Sequence, residues 1–150
     1  MSHSFNKIWI HAIWTTKGRI SFIQNSIEPR LHQFIKEQLR EQGCIVRIVN
    51  GMPDHIHCLF ILNRNKSIAE VIKQAKGSSS CFVNQNELIS DKFAWQTGYA
   101  AFSVSESISD KVYHYIRNQK QHHQNMDFTG EYNKFLKIHG LENSSKYENG

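Results

Sequence analysis

Gly51-Met52-Pro53-Asp54, followed by His55-Ile56-His57-Cys58-Leu59-Phe60-Ile61-Leu62, reads as a turn that delivers the chain into a short, buried strand. Just before it, Cys44 to Asn50 sets Ile45, Arg47 and Val49 against Val46 and Ile48, the alternation of another strand. Two strands joined by so short a turn form a hairpin. A side-chain period of two places His55 and His57 on one face of the second strand, with Ile56 and Cys58 on the other. Burying two imidazoles is costly unless they find partners. A divalent metal is a common one, because neutral imidazole is the commonest protein ligand for such ions. A His-x-His pair alone is a weak signal. A third ligand and a reacting group must come from elsewhere in the chain.

Outward from the hairpin, Ser67-Ile68-Ala69-Glu70 is a capping box that opens a helix. Ile68, Val71, Ile72 and Ala75 face inward on it, and Lys73, Gln74 and Lys76 outward. Gly77-Ser78-Ser79-Ser80 is expected to kink or thin this helix before Cys81-Phe82-Val83 resume its pattern. Phe93 to Gln96 and Tyr99 to Val104 suggest a strand pair or one bent strand. Ser105 to Asn125 reads as one long helix, and a short helix carries Tyr132, Phe135, Leu136 and Ile138. Toward the N-terminus, Ile27 to Gln42 repeats Leu31, Phe34, Ile35 and Leu39 at helical spacing, with Pro29 in the first turn and Gly43 as the stop. Phe5 to Thr15 is a strand interrupted only by His11, which faces either the core or a site. Thr16-Lys17-Gly18-Arg19 is a basic loop. The order strand-helix-strand-strand-helix-strand-helix predicts an α+β fold: a ferredoxin-like, split β-α-β sandwich with a mainly antiparallel sheet and helices on one face.

The 150 residues fit a single domain, 1–150, with residues 142–150 as a polar, frayed tail. No apolar stretch approaches the ~20 residues that span a bilayer, and no signal-peptide pattern opens the chain, so the expected location is the cytoplasm. Cys44, Cys58 and Cys81 are odd in number and widely spaced, which argues against a disulfide framework. The net charge of +5 is uneven. Residues 1–86 carry eleven Lys/Arg against five Asp/Glu, and the remainder seven against eight. Such a basic half suits a phosphate-tracking surface, with Lys17, Arg19, Lys73, Lys76 and, on the last helix, Arg117 as candidate phosphate contacts; plain solubilising charge is the rival explanation.

In the last long helix Tyr115 and Gln119 are four residues apart and share a face, flanked by Asn118 and His122. Tyr113 is about 200° around the helix from Tyr115 by the helical period, so it faces away. A tyrosine on an amphipathic rim is the plain reading. Combined with His55 and His57, a Gln119 carbonyl would complete a three-ligand site suited to Mg2+ or Mn2+ gripping phosphate oxygens. Tyrosine, with a pKa of about 10, needs such help to act as a nucleophile. Asp54 is placed to orient an imidazole from behind, and so are Asn118 and His122; a turn-forming Asp and an exposed histidine at a helix end are the plainer readings.

Several segments together resemble a known family. They are Trp14-Thr15-Thr16-Lys17, the run from Asn50 to His57, Lys76 to Ser80, Trp95 to Tyr99, Phe102-Ser103-Val104, and Tyr115-Ile116-Arg117-Asn118-Gln119 with His122-His123. The sequence resembles the single-tyrosine HUH transposases of small bacterial insertion sequences, including their relatives associated with repetitive extragenic palindromes. The resemblance implies that His55, His57 and Gln119 are metal ligands and Tyr115 the nucleophile. It further implies cleavage of single-stranded DNA through a 5′-phosphotyrosine, recognition of DNA hairpins at element ends, and a homodimer whose active sites can be shared in trans. Ala100 departs from the glycine that relatives often carry there. The rival functions are a non-mobile, host-adopted hairpin-binding protein on the same fold and a metal-dependent phosphodiester hydrolase.

Overall fold

A computed structural model describes residues 3–123 and 126–138; the polar tail proposed for residues 142–150 lies outside them. The elements in order are β1 (Trp9–Thr15), α1 (Glu28–Glu41), β2 (Ile45–Met52), β3 (His55–Ile61), α2 (Ile68–Gln85), β4 (Ala100–Val104), α3 (Ser109–Arg117), α4 (Gln119–His122) and α5 (Phe128–Ile138). Single 3-10 turns at Lys17–Arg19 and Glu106–Ile108 precede α1 and α3. The chain divides into two compact units, residues 1–117 and residues 118–150.

In the first unit the four strands form one antiparallel sheet in the order β2-β3-β1-β4. This is the α+β, ferredoxin-like arrangement that the sequence implies. Ile10, Ala12 and Trp14 of β1 share a face with Ile56, Cys58 and Phe60 of β3, and α1 and α2 cover it with Leu31, Ile35, Leu39, Val71, Ile72 and Ala75. Burial pushes the Cys58 thiol well above its ordinary value, as expected for a sulfur that only packs. The capping box forms: Ser67 Oγ accepts from the Glu70 amide at 3.1 Å, and Glu70 accepts from the Ser67 amide at 3.1 Å.

Five local expectations are corrected. The helices are not all on one face. α3 lies on the other side of the sheet, where Ile116 packs with Trp9, Leu59 and Val104. The even alternation in β2 is broken by a bulge at Arg47, so Val46 and Val49 turn to the core face and Ile48 to the opposite one. The bulge frees Arg47 to stack its guanidinium 4.5 Å from the Tyr113 ring and to reach Asp110 at 2.5 Å. No second strand precedes β4. Residues 93–99 contribute one bridge, Thr16–Trp95, while side chains take the carbonyls of Phe93, Gln96 and Gly98. Lys76 Nζ donates to the carbonyls of Gln96 (2.8 Å) and Gly98 (2.7 Å), and the Trp95 indole N–H donates to Ser79 Oγ. α2 itself runs unbroken through Gly77 to Ser80, where the Ser79 and Ser80 hydroxyls donate to carbonyls three residues back.

The fifth correction bears on function. The expected long helix 105–125 stops at Arg117, and Asn118 leaves helical geometry at φ −96°, ψ 23°. Helix-terminal carbonyls need donors. Here Asn50 Nδ2 donates to the carbonyls of Ile116 (2.9 Å) and Arg117 (3.3 Å), so β2 ends the helix. Tyr115 and Gln119 therefore do not share a helix face. They belong to different units.

Candidate active site

The face of the sheet opposite α1 and α2 is built by parity. β3 pairs His55 with Thr15 and Met52, and His57 with Ile13 and Asn50. All these side chains point away from the main core. Both histidines are fully buried, and ring nitrogens of the two lie within 4.8 Å of each other. Each Nδ1 has a partner. His55 Nδ1 lies 2.7 Å from Asp54 Oδ1, and His57 Nδ1 lies 2.8 Å from His11 Nε2. A histidine that binds metal through one nitrogen characteristically engages the other with a carboxylate or another acceptor. The nitrogen that would ligate is therefore Nε2 in both rings.

The Asp54 carboxyl feels opposing effects. Burial raises its pKa, but the hydrogen bond and charge of His55, aided by Arg19, overcome this and hold it below its ordinary value. Arg19 Nε stands 3.8 Å from Asp54 Oδ2. The basic loop reaches this position because Gly18 (φ +63°) and Arg19 (φ +56°) both take the left-handed conformation. Its start is pinned: the Thr16 amide donates to the Asp54 carbonyl at 2.9 Å, and the Ile23 amide donates to the Pro53 carbonyl at 2.9 Å. Gly51 permits the tight crossing of the hairpin, since a β-carbon there would overlap the His55 carbonyl oxygen.

α3 brings Tyr115 to the same face. Its ring, half-buried, meets His57 edge-on with centroids 6.2 Å apart and planes at 69°. Val112 and Ile116 dock the helix, and Asn50, the cross-strand neighbour of His57, holds its end. Tyr113 points elsewhere, under Arg47. Among the residues read as DNA contacts, Lys17, Arg19, Lys73 and Arg117 are exposed. Lys76 is different. Its ammonium straps the 96–98 loop, and its partial burial lowers its pKa.

In the second unit, Gln119 Nε2 donates to Glu131 Oε2 at 2.9 Å, and His123 Nε2 lies 3.2 Å from Glu131 Oε1. Asn118 is exposed and His122 half-buried; the Asn118 carbonyl accepts from the amides of Gln121 and His122. Sequence reasoning missed Glu131, because one carboxylate in an amphipathic helix looks like solvated surface. It also left His11 undecided. Parity along β1 groups Trp9, His11 and Ile13, but only the β1–β3 register shows that this set shares the face of His57.

Residues 4–119 match the family model described as transposase IS200 like. The ISDra2 transposase TnpA of Deinococcus radiodurans is 26% identical over 114 residues, which cover 73% of this chain and 81% of that protein. The fold is similar to the crystal structure of a candidate transposase from Deinococcus radiodurans R1, with TM-score 0.64 and 22% identity over 79% of this chain and 95% of the other. It is also similar to a REP-associated tyrosine transposase bound to a REP hairpin, with TM-score 0.52 and 15% identity over 79% of this chain and 70% of that one.

Proposed function

Because the chain belongs to the IS200-like transposase family, we propose that it cuts and rejoins single-stranded DNA at insertion-sequence ends with Tyr115 as the nucleophile. The observation that carries this reading is the Tyr115 ring set against His57, with His55 beside it, all within residues 1–117. The phenolic oxygen attacks the scissile phosphorus and the bond to the 3′ oxygen breaks. The 3′ oxygen leaves as a hydroxyl, taking up a proton to balance the one the phenol gave up. The 5′ end stays on Tyr115 as a phosphodiester. Attack by a 3′-OH reverses the step and joins strands without an external energy source.

His55 and His57 would hold Mg2+ or Mn2+ through Nε2, with Gln119 as the third ligand. Their chemistry fits, because both Nδ1 atoms are already engaged with other side chains. When bound, the ion supplies charge neutralisation at the phosphate oxygens. Glu131 accepts from the Gln119 amide N–H and so orients that amide. Asp54 orients His55, while Lys17, Arg19, Lys73 and Arg117 contact phosphates. Lys76 acts indirectly, by holding the 96–98 loop. DNA hairpins at the element ends are the substrate, and a homodimer that can share Tyr115 in trans is the working form. No helix among the described residues is long and apolar enough to cross a membrane.

The test incubates the protein and Mn2+ with single-stranded DNA carrying the palindromes that flank its gene. A covalent protein–DNA adduct that disappears in Tyr115→Phe is expected. Cleavage that needs metal but leaves no adduct would point to a hydrolase, and hairpin binding without any cleavage to a binding protein.

A further inference from the structure

His11 lies in a strand otherwise made of Trp, Ile, Ala and Thr, and it is 1% exposed. A buried imidazole in such surroundings needs a polar partner. It has one in His57: His11 Nε2 and His57 Nδ1 are 2.8 Å apart, with the rings stacked at 30° and 5.1 Å between centroids. Phe102 packs edge-on against the other side of His11, at 6.3 Å and 61°, so the ring is held where it is. In the β1–β3 register His11 stands opposite Leu59, diagonal to His57 and on the same face.

One contact of this kind admits two proton arrangements. In the first, His11 Nε2 carries the proton and His57 Nδ1 accepts; neutral His57 then carries its own proton on Nε2 and cannot bind metal there. In the second, His57 Nδ1 donates to His11 Nε2, and the His57 Nε2 lone pair becomes the ligand. We infer that His11 is a positioning residue, the acceptor that holds His57 in the Nδ1-protonated tautomer and so prepares its Nε2 for the metal. The inference rests on the metal-binding reading of His55 and His57. It makes the two ligands unequal: His55 donates to a carboxylate and His57 to a neutral imidazole. A carboxylate raises the basicity of the ligand it holds more than a neutral acceptor does.

The test has two readouts that do not depend on DNA cleavage. Long-range 1H–15N spectra of the metal-free full chain at about pH 8, where imidazoles are neutral, should show His57 protonated on Nδ1. A His57 protonated on Nε2 would overturn the inference, and this measurement needs no variant to fold. Titration with Mn2+ should show affinity reduced about 10–100-fold in His11→Phe. The phenyl ring keeps the volume but removes the acceptor. His11→Gln, whose carbonyl can accept from Nδ1, should recover most of the loss. Wild-type affinity in a folded His11→Phe would overturn the inference while leaving the metal site standing. A wild type that does not bind Mn2+, or a His57→Ala variant that binds it equally well, would instead overturn the metal reading itself.

Discussion

The two faces of β3 carry the same number of buried side chains and follow opposite rules. Ile56, Cys58 and Phe60 meet α1 and α2 through shape alone. His55 and His57 meet Asp54, His11 and Tyr115 through particular atoms. On the first face a side chain is replaceable by another of similar volume. On the second, a change of one nitrogen or oxygen matters even when volume is preserved. One backbone thus supports a tolerant surface and an intolerant one, separated by a single residue step.

Substitutions that exchange these rules should break the contrast if it is wrong. Tyr115→Phe removes the attacking oxygen and should abolish adduct formation on gels. Its urea midpoint should shift by no more than about 0.5 kcal/mol would produce. Phe60→Ala should do the reverse: roughly 3–5 kcal/mol of stability lost, with adduct formation retained under conditions where the protein stays folded. Asp54→Asn keeps the size of the side chain and should weaken Mn2+ binding about 10–100-fold. Asp54 also carries a sign that can be checked. Its folded pKa lies below the unfolded value of 3.8, so its contribution to stability is present above that pH and is lost as acid protonates it in the folded state. The melting temperatures of wild type and Asp54→Asn should therefore differ at neutral pH and converge in acid. The smallest effect belongs to neither face: Ser67→Ala removes the α2 cap and should cost ~1 kcal/mol without changing metal binding or adduct yield.

The apolar face was legible in the sequence, because periodicity reports burial directly. The capping box at Ser67, the hairpin at Pro53 and the core positions of α1 and α2 all follow from spacing. The polar face was legible only in part. The His55–His57 pair shows in the parity of one strand, but its partners come from other elements. His11 needed the register between β1 and β3, and Glu131 lies in a helix whose apolar spacing conceals an acid. The end of α3 at Arg117 was illegible for the same reason. Nothing between 105 and 125 breaks a helix, since the donor that ends it is Asn50, more than sixty residues earlier. The bulge at Arg47 likewise has no glycine or proline to announce it.

Pro53 and Asp54 form a two-residue turn that discharges many obligations at once. Their carbonyls accept from Ile23 and Thr16, and the Asp54 side chain meets both His55 and Arg19. For anyone modifying this protein, that turn has no slack. An affinity tag, a fluorophore-bearing insertion or a new terminus placed there would detach the basic loop and tilt His55 in the same stroke. The exposed Ser90-Asp91-Lys92 segment, outside the sheet, is the place to open the chain.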